Sequence, residues 1–519
     1  MRESLRKWWK MKNKKFSPIF MFIILTLAVI ILSFVLSLFN LQAEYSTVNS
    51  YTNTLQNNVV QVENLLSLKG FKYIVSTTVS NFVNFAPLGN LIIVLIGIGV
   101  LERTGFAKTF FTLITQSFRK NSITFLLILL SILSGMFGEI GFVVFLPIGA
   151  LLFKYGHRNP IGGILASFAG VCFGHGMNVF LSNVEVSLVK LTTLAAHTID
   201  KNYVINNHFQ IMIAIIAVIV GAILMTRVTE KTIMPKLGKY EFDEIETLDN
   251  VKFSNKELRG LIVGIGAAIV YILIILYNII PGLPLSGGLL DMSASSYIDK
   301  LLGPDSLFSQ GFVFIVTILF VLVGFAYASF AKTIKGSKEI SECLSFSLDK
   351  IGNVLVLMIF ASLFINTFLK SNIGLVVVAL LSNLINAFNF SGLGLIVLLF
   401  VISIIAGLFY TGLLGKWEVM SATVVPHLMN ASVSPEFAQV IFVAGSSISL
   451  AFTPLMSYFV IFISLISMYD KNDKYSLSDE VRLVKNYALV MIIMWFILLV
   501  GFYITGLPIG SHSSPVLKF

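Results

Sequence analysis

The sequence predicts an all-α polytopic membrane protein, with about nine transmembrane helices plus two re-entrant hairpins in an inverted repeat. Three observations carry this. Apolar runs of bilayer-crossing length recur along the whole chain. Charge is scarce: 12% of the 519 residues are charged and 56% are hydrophobic, whereas a soluble domain carries roughly 25% charged residues. Two further apolar stretches are too long for one upright helix and have glycine-rich middles. Lipid gives the backbone no hydrogen-bond partner, so such runs must be helical or shielded by protein.

The chain opens on Arg2, Arg6, Lys7, Lys10, Lys12, Lys14 and Lys15, then runs apolar from Ser17 to Phe39. That run exceeds the core of a secretory signal, about 7–15 residues, and no cleavage motif follows. It reads as a retained first helix behind a cytoplasmic tail (1–16). Residues 40–72 are polar and Asn-rich, so they are placed outside with that helix in one unit, 17–72. Further spans fall at 83–101, 161–195, 209–228, 259–281, 310–331, 352–369, 435–468 and 486–507.

The stretches left over are 122–153, with Gly135, Gly138 and Gly141, and 391–431, with Gly407, Gly412 and Gly415. Glycine weakens a helix interior and permits a tight turn, so both read as hairpins that enter and leave on one side. Charge supports this. With 122–153 as a single span, Arg227, Lys231, Lys236, Lys239, Lys252, Lys256 and Arg259 would lie outside, against the positive-inside bias. With two hairpins, most of the 36 Lys and Arg residues lie inside. The net charge of +10 therefore sits in short loops and does not point to nucleic acid. Cys172 and Cys343 have no metal or disulfide spacing and read as free thiols.

The hairpin reading exposes an internal repeat. Each half has an amphipathic arm (104–120 and 373–389), a hairpin, and then a span interrupted by small polar residues. Pro147 and Pro426 mark similar places. The division is repeat 1 over 73–230, a cytoplasmic loop over 231–258, a second half over 259–507 holding repeat 2, and an external tail over 508–519.

The interruptions are expected at Gly174-His175-Gly176-Met177-Asn178 with Ser182-Asn183, and at Gly445-Ser446-Ser447-Ile448-Ser449. An unwound helix at mid-membrane exposes backbone groups that bind substrate or ion; the alternative is close packing through small residues. Ionisable groups in these segments are few: Glu139, His175, Glu185, Lys190, Lys416 and Glu418. Glu185 is either an ion-coupling carboxylate or a structural partner of Lys190. Glu139 is either a second coupling group or a hairpin-tip carboxylate in water. Trp417 either closes over an aromatic or amide substrate or anchors at the interface.

No phosphate loop and no HExxH occur, so neither ATP-driven pumping nor zinc peptidase chemistry is expected, and no cofactor is called for.

From about residue 80 to 510 the chain resembles the p-aminobenzoyl-glutamate transporter (AbgT) family. The resemblance rests on Phe85-Ala86-Pro87-Leu88-Gly89 through Glu102-Arg103-Thr104-Gly105, Gly141-Phe142-Val143-Val144-Phe145-Leu146-Pro147, Asn159-Pro160, Ser167-Phe168-Ala169-Gly170-Val171, Lys416-Trp417, Thr453-Pro454-Leu455-Met456 and Tyr458-Phe459. It implies nine spans, two hairpins, a homodimer, a solute site between the hairpins, and coupling to a proton or sodium gradient. It also implies a small organic anion or amide as substrate, with p-aminobenzoyl-glutamate or a related folate metabolite as the default. The same fold in this family includes exporters of sulfonamide-like drugs.

Carried over by position, Asn178, Trp417 and Pro454 match site positions, and Glu185 and Glu139 stand where the family has aspartate. Ser446 and Ser449 complete the substrate-binding candidates. Val443 and Ser446 replace a family Arg and Asp, and Gly407 and Leu414 replace an Asn and a Ser. The missing Arg removes the natural partner of a substrate carboxylate. A transporter is the expectation; an intramembrane lipid-linked transferase is a rival that would need catalytic polar residues gathered on one membrane face.

Overall fold

A computed structural model describes residues 17–48, 54–179, 182–206, 208–242, 252–303, 305–349, 351–388, 390–470, 477–511 and 513–517. The basic tail 1–16, residues 243–251 of the expected cytoplasmic loop, Lys471 and Lys474, and residues 518–519 of the last tail lie outside the described residues.

The first helix, α1 (Pro18–Leu38), begins with extended Ser17 and Pro18, the placement proline favours, and ends at Asn40, whose φ of 49° turns the chain. Its buried face, Phe22, Thr26, Val29 and Ser33, lies at helical spacing. The polar stretch that follows is more ordered than its composition suggests. Strands β1 (Gln42–Val48) and β2 (Leu55–Gln61) pair antiparallel, and Glu63 beyond them pairs with Lys370 at 2.9 Å.

The chain continues through α2 (Leu68–Val83), α3 (Ala86–Arg103), the arm α4 (Phe106–Ser117), α5 (Lys120–Leu133) and α6 (Ile140–Tyr155). A 3-10 turn, Ser134–Phe137, and Gly138 at φ 63° reverse the chain between α5 and α6. The far ends meet: Arg158, just past α6, donates to the Thr124 hydroxyl at 3.0 Å and pairs with Glu230 at 2.6 Å. Residues 122–153 therefore form a helical hairpin. It packs against α7 (Pro160–Gly174), which is separated from α8 (Asn183–Ala196) by a non-helical break; α9 (Ile211–Val228) follows.

Long helices α10 (Asn255–Asn278) and α11 (Leu307–Ala331) pack on each other; α11 also packs on α3, and α10 on the arm α4. Then come α12 (Gly352–Lys370), the arm α13 (Ile373–Asn386), and the second hairpin, α14 (Gly392–Phe409) with α15 (Leu413–Asn430). Its far ends also meet, because a Cβ on Gly392 would lie 2.8 Å from the Ala431 carbonyl. The chain closes with α16 (Pro435–Leu450), α17 (Phe459–Tyr469) and α18 (Leu477–Thr505).

Among the described residues nine helical stretches are long and apolar enough to cross a membrane. Two of these, Lys120–Phe137 and Gly392–Phe409, are first arms of hairpins. The interrupted pairs α7–α8 and α16–α17 have halves too short to qualify singly. Packing is exchanged between the halves of the molecule. Helix α8, past its break, packs on α15 of the second hairpin, and α17 packs on α6 and α7.

The second interruption falls later than the sequence suggests. Gly445-Ser446-Ser447-Ile448-Ser449 is helical inside α16, and the chain unwinds at 451–458. Ser447 and Ser449 return their hydroxyls to the Ala444 and Ser446 carbonyls, each at 2.7 Å. Gly445 seats α16 against Ser403 of α14, so packing overrides weak propensity there. Pro454, with no N–H to give a helix, sits in the true break.

Close approach of α6 and α7 runs through Gly149 and Gly163, and a Cβ on Gly163 would collide with the Gly149 carbonyl. Gly163→Ala is expected to lower the unfolding temperature in detergent, by a loss of about 1–3 kcal/mol for overpacking. Gly266→Ala, with nothing within 4 Å of its Cβ, serves as the neutral control.

Candidate functional site

The break after α7 begins at His175-Gly176, where a second glycine follows Gly174 closely. Here the chain gathers polar side chains inside the protein. Asn178 Nδ2 donates to Glu185 Oε2 at 3.1 Å, and the Ser182 N–H donates to the same oxygen at 2.8 Å. Gln210, on the residue before α9, donates from Nε2 to Glu185 Oε1 at 3.3 Å and to the Asn178 carbonyl at 2.9 Å. Ser182 Oγ accepts from the Glu185 N–H, completing a capping box that starts α8. Glu185 is 2% exposed. Burying a carboxylate is costly unless hydrogen bonds replace water, and here they come from the break and from the residue before α9.

Lys190 is exposed, and among the described residues it forms no ion pair with Glu185. The structural-pair reading of Glu185 is thereby replaced by the capping and bridging role. Glu139 is exposed at the tip of the first hairpin and is not joined to Glu185 by any hydrogen bond among the described residues. His175 packs by stacking on Phe142 and bonds Val171. Asn178 also touches the hairpin: a Cβ on Gly135 would lie 3.5 Å from Asn178 Cγ.

The second break mirrors this. Thr453 donates its hydroxyl to the Leu408 carbonyl at 2.9 Å, so the tip of the second hairpin holds the interruption that contains half-buried Pro454. Each broken helix is thus pinned at its break by the tip of the preceding hairpin.

Between α15, α8 and α16 lies a second polar group. Trp417 is fully buried, its Nε1 donates to Thr192 Oγ1 at 2.9 Å, and its ring lies 4.4 Å from that of Phe442. Thr192 donates on to Gln439 Oε1 at 2.6 Å. Burial excludes the interfacial-anchor reading of Trp417. Residues Gln439, Phe442, Ser446 and Ser449 share one face of α16 by helical spacing. Val443 is buried beside them. The opposite side of α16 receives the first break, since a Cβ on Gly176 would lie 3.2 Å from Ser447 Cβ.

The structure therefore joins Asn178 with Glu185, and places Trp417 with the Ser446–Ser449 face. It leaves Glu139 apart. Gln210, Thr192 and Gln439 were not foreseen. The Ser182-x-x-Glu185 capping box is visible in the sequence; Thr192 and Gln210 give no local signal. Among the described residues no group of three or more His, Cys, Asp or Glu could hold a metal ion. A cavity of about 250 Å³ opens elsewhere, between the first hairpin and α11, lined by apolar groups such as Leu130, Phe137, Phe145 and Phe312.

Residues 6–517 match the family model described as "AbgT putative transporter family". The chain is similar to the p-aminobenzoyl-glutamate transport protein of Escherichia coli K12, with 26% identity over 510 residues, covering 98% of this chain and 96% of that protein. Two solved structures resemble it. One is MtrF of Neisseria gonorrhoeae, described as illuminating a class of antimetabolite efflux pumps, with 27% identity over 96% of this chain and 98% of that one and a TM-score of 0.49. The other is the Alcanivorax borkumensis YdaH transporter, described as having an unusual topology, with 24% identity over 95% of this chain and 100% of that one and a TM-score of 0.47.

Proposed function

The chain belongs to the AbgT family of membrane transporters, and from that premise we propose that it carries p-aminobenzoyl-glutamate or a related small organic anion or amide across the membrane, coupled to a proton or sodium gradient. The similar Escherichia coli protein supports the substrate class. One observation carries the mechanism: both helix breaks are held by hairpin tips, through Asn178 on Gly135 and Thr453 on Leu408. Non-helical backbone at membrane depth is tolerated where protein buries it or it lines a cavity, and paired broken helices are the pattern of alternating-access carriers.

In this reading 73–230 and the end of 259–507 are inverted repeats, both hairpins are re-entrant, and the N-terminus is cytoplasmic. The chain works as a homodimer in which hairpin-bearing units move against a scaffold. Asn178, Trp417, Ser446, Ser449 and Pro454 form the substrate path. Glu185 couples the ion, because it sits on α8 and its ligands lie in the break and just before α9; a change of its charge or a bound cation would loosen all three. Glu139, at the hairpin tip, is the second coupling candidate, serving an access path rather than the buried cluster.

Two measurements test the reading. Cysteines at Lys120 and Tyr155 are expected to label from the same cytoplasmic face in oriented membranes; labelling from opposite faces contradicts re-entry. Purified protein is expected to bind p-aminobenzoyl-glutamate by calorimetry, with affinity that changes with sodium or pH. Binding that ignores both ions removes the coupling proposal, and no binding removes the substrate.

A further inference from the structure

Lys416 lies in the first turn of α15, just past the tip of the second hairpin, and is 1% exposed. Among the described residues it pairs with no carboxylate. Its ammonium lies 5.3 Å from the centre of the Phe442 ring. It also lies 3.2 Å from the Cβ position of Gly407, where the Ser449 hydroxyl crowds in from α16. Glycine is required at 407, since any side chain there would displace Ser449 or Lys416. One helical turn back along the same face of α16, the Ser446 hydroxyl is 1% exposed by residue and has no hydrogen-bond partner. Further along, Gln439 Nε2 is likewise buried and unpartnered.

Buried cations are ordinarily paired, and buried polar atoms ordinarily bonded; each exception calls for an explanation. Here a buried cation lies against Phe442 and beside Ser449, on the face of α16 that by helical spacing also carries the orphaned Ser446 and Gln439 groups. We propose that Lys416, Ser446 and Ser449 form an anion subsite that receives a carboxylate of the transported solute, with Phe442 against its apolar part. The proposal rests on the transport of a carboxylate-bearing solute. Because Lys416 is enclosed in this structure, the solute reaches it only when the second hairpin shifts relative to α16.

The test is calorimetric binding to purified full-length protein with two probes, p-aminobenzoyl-glutamate and its uncharged diamide, alongside a thermal-shift panel of simple carboxylates. Lys416→Met, which keeps chain length and removes charge, is expected to weaken the dianion about tenfold or more, the scale of a lost charge-assisted contact, and to leave the diamide unchanged. Lys416→Arg should retain most of the affinity. Ser446→Ala, a small change that spares the fold if Lys416→Met does not, should weaken the dianion several-fold. Equal binding of the dianion in wild type, Lys416→Met and Ser446→Ala overturns the proposal. If wild type ignores p-aminobenzoyl-glutamate but is stabilised by another carboxylate, and Lys416→Met or Ser446→Ala abolishes that, the subsite stands while the proposed substrate falls. If wild type responds to no carboxylate, the subsite is wrong.

Discussion

Glu185→Gln is expected to abolish gradient-driven accumulation in proteoliposomes while leaving a folded protein. The carboxylate accepts from the Ser182 N–H, Asn178 Nδ2 and Gln210 Nε2. Glutamine keeps one accepting oxygen and turns the other into an NH₂ donor. That oxygen can stay on the fixed Ser182 N–H, which preserves the cap of α8. The new NH₂ then faces the Gln210 amide, which must flip to offer oxygen and so gives up its bond to the Asn178 carbonyl. The net loss is one or two hydrogen bonds, about 1–3 kcal/mol. Charge at the break is gone, so transport falls below detection even though the helix persists. Glu185→Ala should be worse for folding, because three donors lose their acceptor in the protein interior, at about 1–3 kcal/mol for each group left unsatisfied. Glu185→Asp should keep partial transport. Lys190→Ala should change neither stability nor transport, since Lys190 is exposed. Wild-type accumulation in Glu185→Gln removes Glu185 from the coupling step.

The largest stability effect is expected at Trp417. The indole is fully buried, packs on Phe442 and supplies the hydrogen bond that Thr192 accepts. Trp417→Ala removes that packing, opens a cavity and breaks the chain from Trp417 through Thr192 to Gln439. Core Trp→Ala changes cost about 3–5 kcal/mol, read here as a lower detergent unfolding temperature together with lost substrate binding. Trp417→Phe fills most of the volume and loses one hydrogen bond, about 1 kcal/mol, so it should fold and bind weakly. An unchanged unfolding temperature in Trp417→Ala contradicts the buried, bridging position.

Much of the fold was legible because lipid imposes simple rules on composition and length. The amphipathic arms expected at 104–120 and 373–389 correspond to Phe106–Ser117 and Ile373–Asn386. The glycine-bearing stretches 122–153 and 391–431 both turn near their glycines: Gly138 takes the positive φ that glycine favours, whereas the second turn, ending at Gly412, needs no positive φ. The second helix break was misplaced because Gly445 and three serines look helix-weakening, yet serine hydroxyls can bond carbonyls within the helix and a glycine can be fixed by its neighbour. The β-hairpin at 42–61 was hidden by a polar composition, although Ala43, Tyr45 and Thr47 alternate with polar neighbours as a strand would. The partnership of Trp417 with Thr192, 225 positions away, has no local signature at all. Nor does the burial of Lys416, which follows from how the second hairpin seats on α16.

The most direct test is transport itself. Purified protein in liposomes, loaded to hold a proton or a sodium gradient, is given radiolabelled p-aminobenzoyl-glutamate on either side. The expected result is accumulation above equilibrium that follows one of the two ions, collapses with its gradient and disappears in Glu185→Gln; the side that gains label gives the direction. Folded wild-type protein that moves no more label than empty liposomes, under both gradients and in both directions, contradicts the account.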